Sequence, residues 1–169
     1  MSESNNKKVT VVVSPRDRFS GLSHCIENIY EHTDESLFDL IILDLGYPKD
    51  ELDKAKDALS GKSNARILNY GLMIPLEGIT KVRDEIETPF TFLLDNDSRV
   101  SPGWLAPLVE TGEKTGAAVI SPLTLEKDGV DGAYTRNHVY TVEIRVVDVE
   151  GTPYLIEHKP YRRELPENM

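Results

Sequence analysis

The stretch PFTFLLDNDSRVSPGW, residues 89–104, decides how the chain is read. Its apolar run, Phe90 to Leu94, has the length of a buried strand and stops at Asp95-Asn96-Asp97. Ser101 suits a helix N-cap and Pro102 the first helical position, where no amide donor is needed; a new apolar periodicity begins at Trp104. Two carboxylates are therefore expected at the carboxyl end of a strand, just before a helix. In open α/β sheets ligands bind at that end. Two acids one residue apart repel each other unless solvent or a cation compensates them. Oxygen ligands at this spacing suit Mg²⁺ or Mn²⁺, with a phosphate completing the shell. Asp-Asn-Asp-Ser is also good turn chemistry, because short polar side chains bond to nearby backbone. An EF-hand loop is excluded: its template needs an oxygen ligand at Arg99, glycine at Val100 and glutamate at Ala106.

Upstream, elements alternate. Val9 to Val13 is a β-branched strand ended by Ser14-Pro15-Arg16-Asp17-Arg18. Leu22, Ile26, Ile29 and Tyr30 recur at helical spacing as far as His32. Leu40 to Leu45 is a second strand, followed by a helix through Leu52, Ala55 and Leu59, with Gly61 past its end. Arg66 to Asn69 is a short strand, and Ile79, Val82 and Ile86 mark a third helix. After residue 104 a helix runs to about Thr115, and Ala117 to Ser121 reads as another short strand. Strands alternating with helices imply crossover units and a mostly parallel sheet flanked by helices. The last third differs: Val139 to His158 alternates like an antiparallel hairpin turning at Glu150-Gly151, and Pro160 to Met169 has no recognisable element.

Composition narrows the function classes. The 169 residues are 28% charged and 39% hydrophobic, enough for one globular domain with a core. A formal net charge of −10 argues against non-specific nucleic-acid binding and against an anionic membrane surface, but leaves room for a local nucleotide site. The single cysteine, Cys25, falls on the apolar face of a helix and reads as a buried structural thiol. No run reaches transmembrane length and no apolar leader is visible, so a cytoplasmic location is expected. The first strand-to-helix turn has no Gly-x-Gly-x-x-Gly, and there is no Walker A sequence.

The order and spacing of these motifs resemble the inverting family-2 glycosyltransferases of the GT-A (Rossmann-like) fold. VTVVVSPRDRFSGLSHCIENIYEHT matches that family's first strand, polar turn and first helix; LIILDLG its second strand; GITKVRD the helix before the metal strand; and FLLDNDSRVSPGWL the Asp-x-Asp strand end and following helix. The resemblance runs from Val9 to about Leu123. It implies transfer of a sugar from a nucleoside-diphosphate sugar to an acceptor hydroxyl on a glycan, lipid or protein, with Mn²⁺ or Mg²⁺ as cofactor. It implies that Asp97 binds the metal directly and that Asp95 contacts the ribose, or the metal through water. Ser14, Pro15 and Asp44 would lie against the nucleoside, and Arg83 would reach the nucleotide from the third helix; a solvated helix face is the alternative for Arg83. Leu45 and Ser14 depart from the family pattern at positions that bear on the base.

The general base has no matching motif. Asp128, Asp131, Glu143 and Asp148 are the later acids, and His138 and His158 stand without context. The expectation is one nucleotide-sugar-binding domain over residues 1–169, lacking the acceptor-binding half. A non-catalytic binding module is the alternative. A haloacid-dehalogenase-like phosphatase is a weaker one, because its Asp-x-Asp belongs near the start of its domain and here about half the chain precedes it.

Overall fold

The computed structural model describes residues 7–16, 18–122, 125–127, 134–136 and 139–163. The chain divides into two compact units, Met1–Ala118 and Val119–Met169.

The first unit is an alternating α/β layer structure. Strands β1 (Val9–Ser14), β2 (Phe38–Asp44), β3 (Ala65–Asn69) and β4 (Phe90–Asp95) form one parallel sheet in the order β3-β2-β1-β4. Helices α1 (Leu22–His32), α2 (Lys49–Ala58), α3 (Pro75–Val82) and α4 (Leu105–Thr115) connect or follow them, with short 3-10 turns at Phe19–Gly21 and Arg83–Glu85. The period of two along β1 divides the core. Val9, Val11 and Val13 face one side, where they pack with Leu22, Cys25, Ile26 and Ile29 of α1, Ala55 of α2 and Leu105 of α4. Val12 faces the other side with Ile41, Leu43 and Leu45, closed by Val82 and Ile79 of α3. The chain steps outward from β1 to β3 with α1 and α2 on one face. It then returns past β1 to β4 with α3 on the opposite face, as right-handed crossovers require. The reversal places the topological switch point between β1 and β4.

Several expectations are corrected here. Leu93, inside the run Phe90 to Leu94 that reads as a buried strand and so expected in the core, is 53% exposed, whereas Ile42 and Leu94 are buried. Leu93 is the register partner of Val12 and shares its face, but α3 covers β1 and β2 and leaves β4 bare on that side. Ser101 and Pro102 do not start α4. The helix begins at Leu105, because Gly103 adopts a left-handed φ of 71° that no helix interior tolerates. The Ser101 carbonyl instead accepts the Trp104 N–H, closing a turn. Ala117 to Ser121 forms no strand; α4 ends on Gly116 in the left-handed region, and Val119 beyond it is 87% exposed.

In the second unit, β5 (Leu125–Lys127) pairs antiparallel with β6 (Tyr134–Arg136), and β7 (Val139–Val149) with β8 (Thr152–Arg163). Glu150 and Gly151 both have positive φ, 53° and 81°, which suits a two-residue turn between twisted strands. Pro160 to Arg163, read above as part of a structureless tail, belongs to β8. Asp128, Asp131 and His138 lie outside the described residues.

The asymmetry of β4 gives a direct test. Ile42→Ala is expected to destabilise the chain by roughly 2–5 kcal/mol, and Leu93→Ala by about 1 kcal/mol or less, because only part of that side chain leaves water. Chemical denaturation of both variants measures the difference; equal losses would mean that the open face of β4 is covered.

Candidate functional site

Ser14 ends β1 and Asp95 ends β4, and the two are register partners at the switch point. The backbone turns immediately after Asp95: the Ser98 N–H donates to the Asp95 carbonyl at 3.0 Å, closing a turn over Asp95-Asn96-Asp97-Ser98. Within it the side chains segregate. Asp95 is half-buried, Asp97 is exposed, and Asn96 between them is 0% exposed. Turn chemistry and outward-facing carboxylates therefore coexist in one segment.

Asn96 points into the protein and is satisfied by the first loop. Its Oδ1 accepts the Arg16 N–H at 3.0 Å, and its Nδ2 donates to the Arg18 carbonyl. Its own N–H donates to the Ser14 carbonyl at 3.0 Å. A buried amide left unpaired would cost about 1–3 kcal/mol, so these bonds join the acidic turn to residues 14–18 as a single unit. Gly21, the N-cap of α1, closes the same contact from beneath. A Cβ there would lie 3.0 Å from the Asn96 carbonyl oxygen and from the Asp97 Cα. Only a residue without a side chain lets the amino end of α1 approach the turn this closely.

Arg16 reaches Asp95 directly, its Nη1 donating to Oδ2 at 2.6 Å. Cys25 lies below, with Sγ 3.8 Å from the Asp95 carbonyl. Burial first, and then the charges of Asp97 and Asp95, push its thiol up to about 12, so it stays protonated and unreactive at neutral pH. Tyr47 packs edge-on to Phe19 with ring centroids 5.0 Å apart. Its buried hydroxyl has no hydrogen-bond partner among the described residues. Burial raises the phenol's pKa, with Cys25, Asp44 and Asp97 adding to the rise, while the neighbouring Asn96 amide tempers it. Asp44 ends β2 buried, with Oδ1 accepting the Gly46 and Tyr47 N–H groups at 3.1 Å and Oδ2 accepting from Asn69 at 2.6 Å. Gly46 takes a φ of 106°, which this turn needs.

The structure thus brings Ser14, Asp44, Asp95 and Asp97, with the buried Pro15, to the carboxyl end of the sheet. It does not bring Arg83 there. Arg83 follows the carboxyl end of α3 and pairs with Asp84, next to Glu85, whose carbonyl accepts from Arg66 near the start of β3. That is the amino end of the strands. A hollow lined by Thr10, Asp39, Asn64, Arg66 and Glu85 lies at this opposite end as well, away from the acid pair. Asp148, one of the later acids, accepts the Gly151 N–H at 2.9 Å within the β7–β8 turn. Sequence reasoning passed over Asn96 and Arg16. A lone amide between two acids gave a hint that it faces the other way, whereas nothing local marked Arg16.

A divalent cation fits the acid pair in one specific sense. No third carboxylate, imidazole or thiolate joins Asp95 and Asp97 among the described residues. Mg²⁺-type sites commonly take one or two carboxylates and complete their shell with phosphate oxygens and water. The close approach at Gly21 also fixes the turn that carries both acids.

No protein-family model matches the chain, and no curated protein matches it. Among solved structures it is similar to the mannosyltransferase PcManGT from Pyrobaculum calidifontis in complex with GDP-Man and Mn²⁺, at 12% sequence identity and a TM-score of 0.51. The match covers 60% of this chain and 34% of that one, so the chain spans about a third of that enzyme's length. Among the described residues no helix is long and apolar enough to cross a membrane.

Gly21→Ala tests the cradle. At the φ of −80° found there alanine is otherwise acceptable, so the effect isolates the contact. The substitution is expected to destabilise by about 1–3 kcal/mol as the turn is pushed outward; an unchanged or raised denaturation midpoint would show that loop and turn are not in contact. By its sheet order and its likeness to part of that structure, the first unit has a Rossmann-like α/β fold.

Proposed function

We propose that the chain binds a nucleoside-diphosphate sugar through a divalent cation held by Asp95 and Asp97, and that it serves glycosyl transfer from that donor. One observation carries the reading: two outward-facing carboxylates stand at the switch point of a parallel sheet, on a turn locked to the first loop by a buried amide. The resemblance to family-2 enzymes and the likeness to a GDP-Man- and Mn²⁺-bound mannosyltransferase support it. They make GDP-mannose the first donor to try, and Mn²⁺ the first cation.

The roles follow from position. Asp97, exposed, is the direct ligand. Asp95, half-buried beside Ser14, holds the cation from the sheet side or takes the ribose hydroxyls. Ser14 and Pro15 form the floor under the nucleoside. Asp44 acts through its loop: its carboxylate organises Gly46 and Tyr47 while its backbone anchors Tyr70. A divalent cation supplies charge stabilisation for the leaving diphosphate. The chain's residues orient that group, with the amino end of α1 packed against the turn at Gly21.

A second reading is binding without turnover. Transfer needs, beyond the cation site, a general base within hydrogen-bond reach of the acceptor hydroxyl, and in this reading Asp95 and Asp97 are both committed to the donor. The phosphatase reading loses ground, because the acids end the fourth strand and not the first.

Titration calorimetry with GDP and UDP, with and without Mn²⁺, is the test. Wild-type chain is expected to bind one nucleoside diphosphate only with Mn²⁺ present. Asp97→Ala should abolish that binding while circular dichroism and the unfolding midpoint stay near wild type. Unchanged affinity in Asp97→Ala would remove the assignment.

A further inference from the structure

Arg16 is held at its root by the acidic turn and reaches that turn's first carboxylate with its tip. Its backbone N–H is tied to the buried Asn96 side chain, so its Cα cannot leave the acidic turn. Its guanidinium lies on Asp95 Oδ2 at 2.6 Å, with the arginine side chain 62% exposed and the aspartate's 37%. An ion pair this open to water is worth little and exchanges readily. The carboxylate it occupies is one of the two that would hold the cation.

A dication brings twice the charge to the same oxygen, and guanidinium and metal cannot share that side of the carboxylate. Once displaced, the guanidinium stays anchored a side chain's length from the acid pair. Its planar fork matches phosphate oxygens as well as it matches a carboxylate. A diphosphate on the cation is the anion that the displaced group meets.

We propose that Arg16 is a partner-exchanging counterion. It pairs with Asp95 until a divalent cation takes that carboxylate, and thereafter with the diphosphate of the bound nucleotide. The inference rests on the metal-nucleotide reading above. It makes Arg16 a nucleotide-binding residue and the source of coupling between the two ligands. The arginine opposes the cation alone and favours cation and nucleotide together. Such coupling is reciprocal, so each ligand raises affinity for the other by the same factor.

The experiment measures Mn²⁺ binding by electron paramagnetic resonance and GDP binding by calorimetry at saturating Mn²⁺, on wild type, Arg16→Gln and Arg16→Lys. Arg16→Gln is expected to bind Mn²⁺ alone severalfold more tightly and Mn²⁺-loaded GDP about tenfold more weakly, within the usual range of coupling between sites. Arg16→Lys, which keeps the charge and loses the fork, should fall between. It also serves in place of Arg16→Gln if that variant fails to fold. Wild-type behaviour in both titrations, or a change in only one, overturns the exchange and leaves the nucleotide reading standing. No Mn²⁺-dependent GDP or UDP binding by any of the three, wild type included, overturns both.

Discussion

The side-chain amide of Asn96 is the interaction on which the site depends. Asn96 is fully buried, so its oxygen and its NH₂ must both find partners or the fold loses stability. The partners are backbone groups of the first loop, at Arg16 and Arg18. One inward residue between two outward acids thus does two things. It positions both carboxylates at the rim, and it welds that rim to the loop that follows β1. Gly21 completes the weld from the helix side, where any side chain would meet backbone atoms of the turn.

Everything upstream delivers β1 and β4 to that point. The β-branched run of β1 makes a central strand buried on both faces, paired with β2 on one side and β4 on the other. Chain reversal leaves the ends of β1 and β4 adjacent, with Ser14 paired to Asp95. A protein with a net charge of −10 places two of its carboxylates there without burying either fully. Asp95 is offset by the Arg16 guanidinium, and Asp97 stands exposed to solvent.

The elements legible in the sequence are those set by strong local pattern. Val9 to Val13, Leu40 to Leu45 and Phe90 to Leu94 read as strands because each is a short apolar run bounded by turn residues. Leu22 to His32 read as a helix because its apolar spacing is regular. The burial of Leu93 was not legible, since an apolar run does not say which of its two faces a helix will cover. The start of α4 was misread because Ser-Pro looks like a cap wherever it occurs, while the left-handed φ of Gly103 follows from tertiary context. Arg83 stayed open between two readings for a related reason: motif order put it at the third helix but at neither end of the sheet. Asp95 and Asp97 were singled out by their spacing, and the structure puts them at the carboxyl end of β4. Asn96 and Arg16 are joined across 80 positions of sequence, and only the parallel pairing of β1 with β4 brings them together.

The most direct test is paramagnetic broadening in the intact, ¹⁵N-labelled chain. Mn²⁺ is added in substoichiometric steps with GDP present, and amide signals are followed residue by residue. If the acid pair holds the cation, the signals of Ser14, Arg16, Gly21, Asn96 and Asp97 broaden first. Those of Asn64, Arg66 and Glu85, at the opposite end of the sheet, stay sharp longest. Broadening that begins around Glu85, or that falls evenly over the whole chain, would contradict the placement of the metal and, with it, the reading of this site.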